Sequence, residues 1–324
     1  MTNPVIAEVF RGDTPESRHR GAFVVVDATG KVFANTGDHE AAFFPRSAIK
    51  AFQCLPMIES GAAKHFGLTD EHIAICCSSH GGEPEHVRLT RDILARAGIV
   101  ETCLECGAHM PSWREASYEL LRHGETLQQV HNTCSGKHAG MLALAKYLGA
   151  SLEGYVHLDH PVQQAVAATV TNLCDFNIAN APMAVDGCSL PTWALPMPNV
   201  ALGFARLSSQ QNKAAQWILR AARNHPFLIA GTNRLDTKIM HAVPRLFIKM
   251  GAEGVFCGTI AHAGLGFALK CDDGAARGAE VAVAQMLAKL DVWSEEECQS
   301  LTSFAAQPLA NWRKIAVGSV TATP

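Results

Sequence analysis

Charge, long apolar runs and blocks of one sign are all scarce in this 324-residue chain. Only 18% of residues are charged, 27 basic against 30 acidic, for a formal net charge of -3. No cluster of like charges follows a phosphate backbone or an anionic lipid surface, so nucleic acid and membrane are excluded as partners. The most apolar stretches, such as Phe23 to Val26, fall far short of the ~20 residues that cross a bilayer, and later ones are broken by Pro182, Pro191, Pro196 and Pro198. The opening MTNPVIAEVFRGD lacks the basic region and apolar run of a secretory leader. There is no internal repeat or low-complexity tract. Eleven cysteines, an odd number in a long chain, read as reduced thiols of a cytosolic protein. What remains as a partner is a small molecule or a second copy of the chain.

What is plentiful is hydrophobic content, at 48%, enough for one large domain or two intimate ones. Short β-rich runs open the chain, at Val5 to Phe10, Ala22 to Asp27 and Val32 to Asn35, with hairpin chemistry at Asp27-Ala-Thr-Gly30. Amphipathic spacing predicts helices from about Arg46 or Ser47 and over 84–97, 112–123, 138–148, 161–174 and 210–223. Strand texture returns at Arg245 to Lys249, Gly254 to Cys257 and Leu265 to Lys270, before an alanine-rich helix over 276–289. The order strands, helices, strands, helix predicts an α+β (α/β) architecture and a single catalytic unit. One antiparallel sheet is built from about 1–40 and 240–290, with a mostly helical part over about 45–235.

Ser47-Ala-Ile-Lys50 is an S-x-x-K tetrad at a predicted helix start, where serine and lysine share one face. A neutral lysine there can deprotonate the serine, given burial or a second cation such as Lys249. Alone the tetrad is a weak signal, and a capping serine beside a surface lysine is the commoner reading. Serine β-lactamases and penicillin-binding proteins pair such a helix with a late K-T-G strand. Here Lys249-Met-Gly251 has methionine in the middle, and no clear S-D-N stands between, which argues against cell-wall and β-lactam substrates. Cys76-Cys-Ser-Ser-His80-Gly-Gly reads as a short apolar strand running into a turn, with Ser79 its best candidate nucleophile or a solvated turn residue.

Asn132-Thr-Cys134-Ser-Gly-Lys137-His138 is dense in nucleophilic and basic side chains, and Asp186-Gly-Cys188 follows beside another turn. Two thiolates and a nitrogen suit zinc. Without C-x-x-C spacing, buried unreactive cysteines are the commoner explanation.

Taken with Pro45-Arg46-Ser47-Ala-Ile-Lys50, Cys77-Ser-Ser79-His80-Gly-Gly, His225-Pro, Gly231-Thr-Asn-Arg234-Leu-Asp236-Thr and Lys249-Met-Gly-Ala-Glu-Gly254, these motifs resemble the rhizobial-type (class 3) L-asparaginases along nearly the whole chain. The resemblance implies a fold like that of serine β-lactamases and glutaminases, a homodimer, and L-asparagine as substrate with glutamine poor. It also implies two serine–lysine pairs, Ser47 with Lys50 and Ser79 with Lys249, and a zinc ion held by Cys134, Lys137 and Cys188. Arg46, His80, His138, Asp186, Arg234 and Asp236 are the candidates for substrate contact, although Arg234 and Asp236 read equally as an ion pair in a turn. The chemistry expected is acyl transfer through a β-aspartyl ester on Ser47 or Ser79, with zinc polarising the amide or orienting the substrate. Oxyanion donors are expected at the start of the Ser47 helix. The rival readings are a glutaminase and a non-catalytic amino-acid- or zinc-binding protein on the same scaffold.

Overall fold

A computed structural model describes residues 2–323 and divides them into two compact units. The sheet unit comprises residues 2–48, 195–208 and 239–323; the helical unit comprises Ile49–Ala194 and Ser209–Lys238.

In the sheet unit the strands are β1 (Val5–Arg11), β2 (Thr14–Asp27), β3 (Val32–Thr36), β4 (Leu246–Gly251), β5 (Val255–Ile260), β6 (Leu265–Cys271), β7 (Ala306–Ala310) and β8 (Ala316–Ala322). They form one antiparallel sheet in the order β7-β8-β1-β2-β6-β5-β4, with β3 also on β2. The 14-residue β2 unites its halves: Thr14 to Arg20 pair with β1, and Gly21 to Asp27 pair with β6. Ala22 to Val26 and all of β5 are buried residue after residue, the signature of strands covered on both faces. The cover comes from the Met197–Leu207 helix on β2, β5 and β6 and from the Ala276–Ala288 helix on β1, β6 and β8. At Asp27 the hairpin chemistry is as read from the sequence, its carboxylate accepting from Thr29 and Lys31 before Gly30 turns at φ 90°.

A polar staple holds the sheet to the Ala276–Ala288 helix. Arg277 donates to His19 Nε2 (3.1 Å), so His19 carries its proton on Nδ1 and donates to Asp273 (2.7 Å). The same carboxylate accepts from Cys271 (3.1 Å) and the Ala275 N–H (3.0 Å). By donor type His19, Cys271 and Asp273 could hold a metal, but each is already engaged in this network.

The helical unit is arranged around the Ser135–Tyr147 helix, whose residues Ser135 to Ala145 are buried without interruption. A helix apolar all round belongs in the middle of a bundle. It packs against Lys50–Glu59, Asp70–Cys76 and Pro84–Arg96. Gly136 lets it approach the Ile75 backbone, and Gly140 lets it approach Cys76 Sγ. Among the described residues, no helix is long and apolar enough to cross a membrane. All eleven cysteines are free thiols.

Three readings from the sequence change. The apolar run before Cys76 is a helix, Asp70–Cys76, started by a capping box between Thr69 and His72; a short buried apolar run does not by itself distinguish strand from helix. The Met197–Leu207 helix belongs with the sheet, and the β7–β8 hairpin extends that sheet beyond residue 290.

Side chains introduced at Gly136 and Gly266 collide with backbone, at Ile75 in one case and at Ala201 and Ala205 in the other. Gly136→Ala and Gly266→Ala are each expected to destabilise the chain by about 1–3 kcal/mol, seen as a lower urea midpoint at unchanged slope.

Candidate active site

Lys50 opens the Lys50–Glu59 helix and is fully buried, which removes the surface-lysine reading of the tetrad. Its Nζ donates to the Ser78 carbonyl and lies 2.9 Å from Ser79 Oγ and 3.1 Å from Cys134 Sγ. Burial pushes the amine below its usual range; the Cys134 and Cys188 sulfurs pull it back up, and Lys137 pushes it further down. The resemblance paired Lys50 with Ser47; within the helical unit its hydroxyl partner is Ser79.

Ser79 stands on a loop fixed from both sides, its N–H donating to Ile229 O (2.9 Å) and the next, of His80, to Thr133 O (3.1 Å). These two amides are therefore committed and are not oxyanion donors in this arrangement. Both ring nitrogens of His80 are also occupied. Nδ1 accepts from the Gly82 N–H (3.1 Å), so Nε2 carries the proton and donates to Ser135 Oγ (3.0 Å), which passes its own to Val130 O (2.7 Å). Burial holds this imidazole well below its usual range, hence neutral. His80, a candidate for substrate contact in the sequence, thus has both ring nitrogens engaged within the protein. Glu83 ties the same loop to Thr232 through the backbone N–H (2.9 Å) and the hydroxyl (2.6 Å).

Cys134, Lys137 and Cys188 come together, each nearly fully buried. Cys134 caps the Ser135–Tyr147 helix, and its N–H is held by Asn132 Oδ1 (2.8 Å). Cys188 is presented by the tight turn between the short strands Met183–Val185 and Pro191–Trp193, where Asp186 N donates to Leu190 O (2.8 Å) and Ser189 adopts φ 72°. Lys137 Nζ lies 3.3 Å from Cys188 Sγ. The Cys188 thiol donates to Cys134, which lowers Cys134 well below the usual thiol range and raises Cys188 above it. For Lys137 burial works against the charge, but Cys188, Cys134 and Asp186 outweigh it and raise the amine. Two thiol sulfurs and an amine suit zinc, whose tetrahedral bonds of about 2.0–2.3 Å separate ligands by about 3.5 Å; the 3.3 Å between Lys137 and Cys188 fits that spacing.

The remaining sequence candidates are distributed over both units. Asp186 is half-buried, and its charge acts on Lys137. His138 is fully buried beside Lys137 on the same helix. Arg234 is half-buried and Asp236 is buried, at the start of the Leu235–Ala242 helix. Arg46 and Ser47 are half-buried in a 3-10 turn over Arg46–Ile49, where Arg46 has φ 49°. Lys249 is fully buried on β4 and donates to Met250 O (2.8 Å). Ser78, Glu83 and Tyr155 escaped the sequence reading. A lone tyrosine carries no pattern, and a carbonyl such as that of Ser78 has no sequence signal at all.

A family model described as L-asparaginase II matches residues 7–322. No curated protein matches the chain. Because the match runs through both units and includes every group gathered around Lys50, the chain belongs to the L-asparaginase II family.

Proposed function

We propose that the chain hydrolyses the side-chain amide of L-asparagine with Ser79 as nucleophile and Lys50 as its base. L-Asparaginase activity follows from the family; the assignment of roles rests on the 2.9 Å contact between Lys50 Nζ and Ser79 Oγ. A neutral amine has two N–H donors and one lone pair. The Ser78 carbonyl and the Cys134 sulfur take the two donors, which leaves the lone pair for the Ser79 hydroxyl proton.

In this reading Ser79 Oγ bonds to the amide carbon as its proton moves to Lys50 Nζ. The C–N bond breaks, Lys50 returns the proton to the leaving nitrogen, and ammonia departs from a β-aspartyl ester. Water then attacks the ester carbon and gives a proton to Lys50. The C–O bond to Ser79 breaks, the serine recovers its proton, and aspartate is released. The rigid Ser79 loop supports the scheme, because a fixed nucleophile gives up little freedom on reaching the substrate.

The fold proposed is that of the serine β-lactamases. Its support is one antiparallel sheet made from early and late segments, with a helical unit between them and Lys249 on a late strand. Ser47 and Lys249, both in the sheet unit, are then the complementary serine–lysine pair. Zinc is proposed at Cys134, Lys137 and Cys188, where it would supply a Lewis acid and neutralise thiolate charge.

Ser79→Ala and Lys50→Met are each expected to lower ammonia release from asparagine by roughly 10³-fold or more, with glutamine assayed beside it and intact mass reporting the ester. Full activity of Ser79→Ala together with inactivity of Ser47→Ala would move the nucleophile to Ser47.

The zinc proposal has a sign in pH. Cys188 and Lys137 titrate above their ordinary values, so both carry protons at neutral pH, and a metal must displace them. Zinc loading is expected to release protons in weakly buffered solution and to weaken as pH falls. Cys188→Ser is expected to reduce the zinc content measured by elemental analysis.

A further inference from the structure

The polar staple of the sheet unit gathers an imidazole, a thiol and a carboxylate, from His19, Cys271 and Asp273, whose donor atoms lie within 4.8 Å of one another. Strand pairing brings them together. His19 and Gly21 are two residues apart on β2 and so face the same side of the sheet, and Gly21 stands opposite Cys271 at the end of β6. Asp273 follows in a turn closed by the Gly274 N–H on the Cys271 carbonyl (3.2 Å), with Gly274 at φ 76°. The Ala276–Ala288 helix lies directly on the imidazole, since a Cβ on Gly278 would fall 2.5 Å from His19 Cγ. His19 and Cys271 are buried, whereas the Asp273 side chain is 48% exposed. The cluster is thus fixed at its base and open at the carboxylate.

Two protons converge on that carboxylate, one from the Cys271 thiol (3.1 Å) and one from His19 Nδ1 (2.7 Å). A thiolate, an imidazole nitrogen and a carboxylate form a donor set for zinc. A divalent cation in place of those protons leaves the group neutral, because thiolate and carboxylate together carry two negative charges. Tetrahedral zinc separates its ligands by about 3.5 Å, a spacing reached by a small outward shift of the exposed Asp273, and water completes the shell. The thiol proton leaves to solvent, and the imidazole, ligating through Nδ1, carries its own proton on Nε2. Arg277 opposes that change, because its Nε–H donates to His19 Nε2 (3.1 Å). Its second bond, to Ser17 Oγ (3.1 Å), gives the exposed arginine a partner when it leaves the ring.

We propose that His19, Cys271 and Asp273 form a site for zinc or a similar divalent cation, guarded in the metal-free protein by Arg277. The site does not depend on the amidohydrolase reading. Its residues all belong to the sheet unit, and Cys134, Lys137 and Cys188 all belong to the helical unit, so the two can be measured apart. Cobalt(II) is the probe, added to the full chain carrying Cys134→Ser and Cys188→Ser. A thiolate–cobalt absorption band is expected in the near ultraviolet, saturating at one cobalt per chain. Adding Cys271→Ser is expected to abolish the band, and adding His19→Gln to weaken it severalfold. Arg277→Met, which keeps the apolar stem and removes the bond to Nε2, is expected to tighten cobalt binding about tenfold. In the chain with Cys134 and Cys188 intact, saturated with zinc and gel-filtered, Cys271→Ser is expected to lower the zinc content by one equivalent. That difference holds whether or not the helical unit loads its own metal, and it does not require the doubly substituted chain to fold. A band that survives Cys271→Ser, cobalt binding unchanged or weakened by Arg277→Met, or a zinc content unaltered by Cys271→Ser would overturn the proposal and leave the cluster a hydrogen-bonded staple only.

Discussion

The buried amine of Lys50 is the constraint around which the helical unit is organised. Removing an amine from water is tolerable only if every hydrogen bond it can make is made by the protein or its proton is given up. The chain meets the first condition with three groups from two segments: the Ser78 carbonyl, the Ser79 hydroxyl and the Cys134 sulfur. Each must be held where the lysine needs it. The Asp70–Cys76 helix ends just before Ser78, and Asn132 turns the chain into Cys134. Gly136 and Gly140 then allow the helix that follows Cys134 to press against the one that delivers Ser78. Those two glycines thus belong to the chemistry as much as to the packing.

The periodicity of that central helix explains why so many functional groups cluster in so short a segment. Cys134, Lys137 and His138 fall at spacings of three and four residues, which bring side chains to one face of a helix. The Cys188 hydrogen bond, with Lys50 and Lys137 nearby, lowers Cys134 below the usual thiol range, while the same bond and burial raise Cys188. The same sharing places opposite demands on the two lysines. Lys137 is bathed in sulfur charge and is pulled towards its protonated form; Lys50, for which burial dominates, is pushed towards neutrality. Two lysines buried in one cluster thus differ in the direction in which their surroundings push them.

Much of this was legible in the sequence because it was written locally. The S-x-x-K tetrad, the Asn132 to His138 cluster and Asp186-Gly-Cys188 are short motifs whose residue types declare their chemistry, and the strand–helix–strand order follows from periodicity. What depends on distant pairing was not. The bond from Lys50 to Ser79 joins residues 29 apart, and neither residue's motif names the other as its partner. His80 was a candidate for substrate contact through the family resemblance; only the positions of Gly82 and Ser135 reveal that both of its nitrogens are taken. The helix at Asp70–Cys76 was hidden by its brevity, since one buried apolar run satisfies either periodicity.

The two histidines of the helical unit show how hydrogen-bond counting separates scaffold from function. His80 and His138 have the same chemistry, both are fully buried, and burial pushes both well below their usual range. His80 has a donor on one side and an acceptor on the other, so it adds rigidity to the Ser79 loop and has nothing left to offer a ligand. His138 has a hydroxyl on one side and nothing on the other. Since an unmet buried donor destabilises the fold, a chain able to satisfy His80 so completely gains nothing from leaving His138 unmet for packing alone. The asymmetry leaves His138 Nε2 as a buried polar atom of this helix that the fold itself does not satisfy.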